Sequence, residues 1–262
     1  MDPKIISLQI EDMLLRSLAW VFVGLVFGFI FVVSGEVLRG VLGDPWRLPL
    51  ATVMASTMTS LVYGSMRLTV IVANVLLAVL VLYFAFDDQP GQLTLGRIML
   101  VCAGIGTLVG GLYAWGETRS QVWCADAKIV AGLVAGFPAA LLALLLPLFG
   151  FDASMTYPWL VALLGPLAAV VYVRRARWFI AHCHRLLPRV GDGILVGLGV
   201  GVVTGLLFLV MAGIFGIDMG SELSAFFTHV DARLSATLLW SAAGCLVLGL
   251  ARSFMRVPWY NL

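Results

Sequence analysis

The side chains in this chain able to do chemistry are few, and most are hydroxyls. Thr52, Ser56, Thr59 and Ser60 fall on one face of a helix drawn through residues 48–66, with Thr57 beside them, and Asn74 lies inside the next apolar stretch. Such a face could line a hydrated route or hold a polar solute. Serine and threonine also bond back to the preceding turn of their own helix, which lets them sit in apolar surroundings at low cost. An asparagine amide cannot satisfy itself that way and needs a partner on another helix. Thr52, Ser56, Thr59, Ser60 and Asn74 are the candidate polar path.

A second cluster is basic. Arg174, Trp178, His182, Arg185 and Arg189 share a helical face. That face suits anionic lipid headgroups or an acidic partner, and a topology anchor with an interfacial tryptophan accounts for the same residues. His182 and His184 flank Cys183, but neighbouring arginines repel a cation and no carboxylate stands near in sequence, so no metal ligand is assigned.

The remaining inventory argues against catalysis. Cys102, Cys124, Cys183 and Cys245 are widely separated, with neither the pairing of a zinc knuckle nor a disulfide framework. Cys102 and Cys245 lie in apolar runs and read as small packing residues. No nucleophile–base pairing, H-E-x-x-H motif or histidine within an apolar run is visible. Gly197-x-Gly199-x-Gly201 lacks both the full G-x-G-x-x-G spacing and a preceding strand. No catalytic residue and no cofactor are expected.

The elements that must position these groups follow from composition. Of 262 residues, 61% are apolar and 11% charged, against about half and a quarter in globular chains. A soluble domain of this size cannot hide so much apolar surface. A water-soluble enzyme, a disordered chain and a nucleic-acid-binding domain are excluded, and the formal charge of +2 implies no polyanion partner. Crossing a bilayer core about 30 Å thick takes roughly 20 helical residues. Stretches of that length free of ionisable residues run over 17–35, 48–66, 68–86, 98–116, 129–151, 153–173, 193–217 and 234–251. Strand-sized alternation is absent, which argues against a β-barrel. The expected fold is an all-α polytopic bundle of eight transmembrane helices in one integral membrane domain, 1–262.

Charge sets the expected orientation. If both termini share a side, that side holds Lys4, Arg16, Arg67, Arg119, Lys128, Arg174, Arg175, Arg177, Arg185, Arg189, Arg252 and Arg256; the other holds Arg39, Arg47, Arg97 and Arg233. That bias places both termini in the cytoplasm, with the chain in the cytoplasmic (inner) membrane. The N-terminus lacks the layout of a cleaved signal peptide, so the first apolar segment is expected to be retained. Asp44, Asp87, Asp88, Asp152 and Asp218 fall at outside turns, where they could form an acidic ring or serve only as turn formers. Residues 4–15 and 219–230 are expected as short interfacial stretches, the latter a surface helix.

Small residues supply the packing faces. Gly24/Gly28, Gly132/Gly136 and Gly197/Gly201/Gly205 are spaced four apart, flattening one side of each helix for close approach, within the chain or to another subunit. Gly24-Leu25-Val26-Phe27-Gly28-Phe29 matches Gly132-Leu133-Val134-Ala135-Gly136-Phe137, and each second glycine is followed sixteen residues later by Asp44 or Asp152. Segment 129–152 also resembles 194–218. The simplest account is a two-helix hairpin used four times, over 17–67, 68–119, 128–177 and 192–254. On these features the expected role is a non-catalytic component of a larger membrane assembly, contacting lipid, other subunits or itself, and anionic headgroups through the basic face. The rival reading is a channel or permease for a small solute along the polar path.

Overall fold

Backbone in lipid has no water to bond, so an apolar segment must close its own hydrogen bonds. The described segments do so as helix. The computed structural model describes residues 3–39, 42–62, 76–77, 95–116, 125–151, 157–181, 189–214 and 220–256. Along them run α1 (Pro3–Arg39), α2 (Asp44–Val62), α3 (Leu95–Gly116), α4 (Ala125–Leu145), α5 (Val161–Ala181), α6 (Arg189–Ile214) and α7 (Gly220–Arg256). Short 3-10 turns occupy Leu146–Phe149 and Pro158–Leu160, and there is no strand among the described residues. Gly150 closes the first turn in the left-handed region (φ 79°), its N–H donating to Pro147 O at 3.1 Å.

Among the described residues, five helical stretches are long and apolar enough to cross a membrane: Met13–Arg39, Gly96–Trp115, Ala127–Phe149, Val190–Val210 and Thr228–Arg252. Pro158–Arg174 is a shorter apolar helix, and the hydroxyl-rich α2 is not among the five. The seven helices overlie the apolar segments read from the sequence except the third; 68–86 lies outside the described residues apart from helical Leu76 and Leu77. The surface helix expected over 219–230 is not a separate one: from Gly220 the chain is continuous with the last apolar stretch in α7, and α1 likewise runs unbroken from Pro3 through residues 4–15. No glycine or proline stands between residues 4 and 23 or between 221 and 243. A nucleated helix gains a hydrogen bond with each added residue, so nothing stops it there.

Polarity is arranged as lipid requires. Leu100 and Trp115 on α3 are 75% and 78% exposed, whereas Thr52 and Ser241 are fully buried. The core joins Phe27, Ile30 and Val33 of α1 with Leu48 and Ala55 of α2, Ala139 of α4, Leu164 of α5 and Leu209 of α6. Phe27 and Phe31 stack at 6.3 Å between ring centroids.

Three helix pairs pack most closely: α3 with α6, α1 with α7, and α2 with α4. Glycines make each seam. A Cβ on Gly106 or Gly110 would strike the backbone of Gly197 or Gly193, and one on Gly201 would strike Cys102 O. Gly24 and Gly28 lie against Ser241, with Cys245 and Thr237 beside it; Gly132 and Gly136 lie against Ser56, with Thr57 and Val53 beside it. Gly205 rests on Met99 and Cys102. All seven glycines singled out from the sequence therefore face helices of this same chain.

Candidate functional site

A cavity of about 80 Å³ opens between α1, α2, α5 and α7. Small side chains leave the room: Ala19 on α1 and Gly165, Ala168 and Ala169 on α5 line it where larger residues would close the gap. Trp20, Val23 and Phe27 contribute the α1 wall, Tyr172 and Val173 the far end of α5, and Cys245 the α7 side. Ser56, Thr59 and Ser60 form the α2 wall. From Trp20 to Phe27 is about 10 Å of helix rise, so the lining extends over roughly a third of a bilayer core. Near the Trp20 end, the Arg252 guanidinium lies 5.8 Å from the indole centroid, within cation–π range.

The hydroxyl face divides into two kinds of residue. Thr52 Oγ1 donates to Leu48 O at 2.8 Å, and Thr57 Oγ1 to Val53 O at 2.8 Å, each satisfied by its own helix. Ser56 Oγ donates across the seam to Gly132 O at 2.9 Å, and Ser60 Oγ to Lys128 O at 2.7 Å and Thr57 O at 2.9 Å. Thr59 Oγ1, in a residue only 8% exposed, has no partner among the described residues. Of the four hydroxyl-bearing residues expected to line one path, Ser56, Thr59 and Ser60 border the cavity and Thr52 does not; Asn74 lies outside the described residues.

The basic face is described only in part. Arg174 and Trp178 are exposed on the last turns of α5; His182 and Arg185 lie outside the described residues, and Arg189 opens α6. Of the acids expected at outside turns, Asp87, Asp88, Asp152 and Asp218 lie outside the described residues, and Asp44 opens α2. Among the described residues no group of three His, Cys, Asp or Glu side chains could hold a metal ion.

Sequence reasoning missed a charged node at the opposite end of the bundle. The Glu36 carboxylate, 3% exposed, accepts from Arg47 Nη2 and Arg233 Nη1, each at 2.9 Å, and from Arg39 Nη1 at 3.5 Å. Arg47 Nε also donates to Gly35 O at 2.6 Å. Only the Glu36–Arg39 spacing of three was visible; Arg47 and Arg233 stand 11 and 197 residues from Glu36. The node ties α1, α2 and α7 together, one carboxylate serving three guanidiniums. Also unread were Gly106 and Gly110, whose spacing of four matches the faces that were noticed. Asp192 Oδ1 accepts the Ala125 N–H at 3.0 Å, capping α4 from the first turn of α6.

Compared with known proteins, the chain matches no family model, no curated protein sequence and no solved structure.

Proposed function

We propose that this chain is a non-catalytic integral membrane protein that binds a small solute within its bundle and passes it, as a permease. The observation that carries the reading is the cavity between α1, α2, α5 and α7, walled on one side by Ser56, Thr59 and Ser60. Pockets that take small molecules are mostly apolar with a few placed polar groups, and between helices of a bundle is a common location. The competing role, a subunit docking partners through glycine faces, loses ground because those faces are occupied by helices of the same chain.

A parallel repeat is part of this proposal. Its support is a shared contact: Ser241 Oγ donates to Gly24 O at 2.6 Å, and Ser56 Oγ to Gly132 O at 2.9 Å. Gly24 and Gly132 are the first glycines of the two matching stretches, so like sequence receives like partners. Eight spans as four hairpins, and both termini on the cytoplasmic side of the inner membrane, complete the reading. The orientation rests on the lysine and arginine bias.

The test is flux into vesicles carrying the purified protein, over a panel of small uncharged solutes. Wild-type vesicles should admit at least one solute faster than empty ones, and Ala169→Phe, which fills the cavity from α5, should return the rate to background. Equal rates with and without protein, together with stoichiometric co-purifying subunits in mild detergent, would sink the permease reading in favour of an assembly component.

A further inference from the structure

We propose that the Glu36 node binds one anionic phospholipid by its phosphate, through Arg39 and Arg233. A guanidinium carries a permanent charge and five donors in a planar fork. The Glu36 carboxylate has a single charge to set against three of them. Arg47 is buried and has partners beyond those named above. Arg39 and Arg233 differ from it. Each meets Glu36 and no other polar partner among the described residues, and their side chains are 45% and 28% exposed. The Arg39 contact, at 3.5 Å, is longer than a good N–H···O bond. With Arg47 and its partners counted as neutral, two positive charges still face one negative, and at least one is left over.

An uncompensated charge at the edge of the hydrocarbon layer draws a counter-ion, and the one a membrane supplies there is a lipid phosphate. Arg39 ends the apolar stretch Met13–Arg39, and Arg233 lies near the start of Thr228–Arg252, so the node stands at headgroup depth in the membrane reading. Arginine forks match phosphate oxygens two at a time. Arg39 and Arg233 hold the two oxygens of one carboxylate, which brings them close enough for a phosphate to bridge their outward N–H groups. The surface beside them suits acyl chains. Trp240 lies two turns on from Arg233 on the same face of α7, next to Leu239, and both are exposed. A zwitterionic lipid carries its own cation and would leave the surplus charge in place.

The experiment counts lipids retained by the full chain in native mass spectrometry, with dioleoylphosphatidylglycerol or dioleoylphosphatidylcholine titrated into the detergent-solubilised protein. The first phosphatidylglycerol should bind about tenfold more tightly than the first phosphatidylcholine. Arg39→Gln removes the more exposed charge and only a long contact to Glu36, so the unfolding midpoint should hold. It should weaken phosphatidylglycerol binding about fivefold, the worth of one arginine at an anionic lipid surface. Arg174→Gln, which takes a charge from the basic face of α5, should leave that binding within about twofold of wild type. Excess inorganic phosphate at constant ionic strength should not displace the lipid, which adds acyl contacts. The proposal is overturned if the two lipids bind alike, if Arg39→Gln binds phosphatidylglycerol as tightly as wild type, or if Arg174→Gln is the variant that loses it. Displacement by inorganic phosphate overturns it too, in favour of a free oxyanion. The comparison of the two lipids on wild type decides even where a variant fails to fold. The site is separate from the cavity, and its test does not depend on solute flux.

Discussion

Gly24→Ala tests whether the helix seams are as tight as the structure has them. A Cβ at position 24 would lie 2.7 Å from Ser241 O and 2.9 Å from Cys245 Cβ. Ordinary contact is about 3.5 Å, and the first atom struck is backbone, so α1 and α7 must part by about 0.8 Å. That stretches the 2.6 Å bond from Ser241 Oγ to Gly24 O beyond useful range. An interhelical hydrogen bond in a membrane bundle is worth about 0.6 kcal/mol. A gap of this size also forfeits a quarter to a half of each dispersion contact along the seam, on the order of 1 kcal/mol over some tens of atom pairs. The expected loss is about 1–3 kcal/mol, the usual range for overpacking. Gly104→Ala is the control, since its Cβ would meet nothing within 4 Å. Unfolding in mixed micelles, followed by circular dichroism, should lower the Gly24→Ala midpoint and leave Gly104→Ala within about 0.5 kcal/mol of wild type. Equal effects from the two substitutions would refute the close approach of α1 and α7.

Glu36→Gln should cost about 3–5 kcal/mol in the same unfolding assay, because the Arg47 and Arg233 charges lose their carboxylate in a largely buried setting; a loss below 1 kcal/mol would mean the node is open to water. Thr59→Val should raise the stability of ligand-free protein by about 1 kcal/mol, as an unpaired hydroxyl is replaced by a methyl. A loss of that size would show that the hydroxyl has a partner in the empty state. Asp192→Ala should cost about 1 kcal/mol and speed hydrogen exchange at the Ala125 amide, whose cap it removes.

The helices were legible because lipid leaves an apolar chain no other way to satisfy its backbone, and the glycine faces were legible because only their spacing mattered. The partners of those faces were not. Ser241 sits 217 residues from Gly24, and no local pattern says which helix will lie across a flat one. The same gap separates the hydroxyl face from the site. Thr52, Ser56, Thr59 and Ser60 look alike on a helical wheel, yet what each does depends on which carbonyl is within reach. Glycines at 24 and 132 let a neighbouring helix come so close that the carbonyl beneath them falls within range of a serine on that helix. Ser241 and Ser56 fill that role and become packing groups. Thr59 lies one turn from Ser56 and borders the cavity, yet its Oγ1 is buried without a partner among the described residues. Its proton has no glycine carbonyl to meet, so residues alike on a helical wheel end as a cross-seam bond at one position and as an unpaired donor at the next.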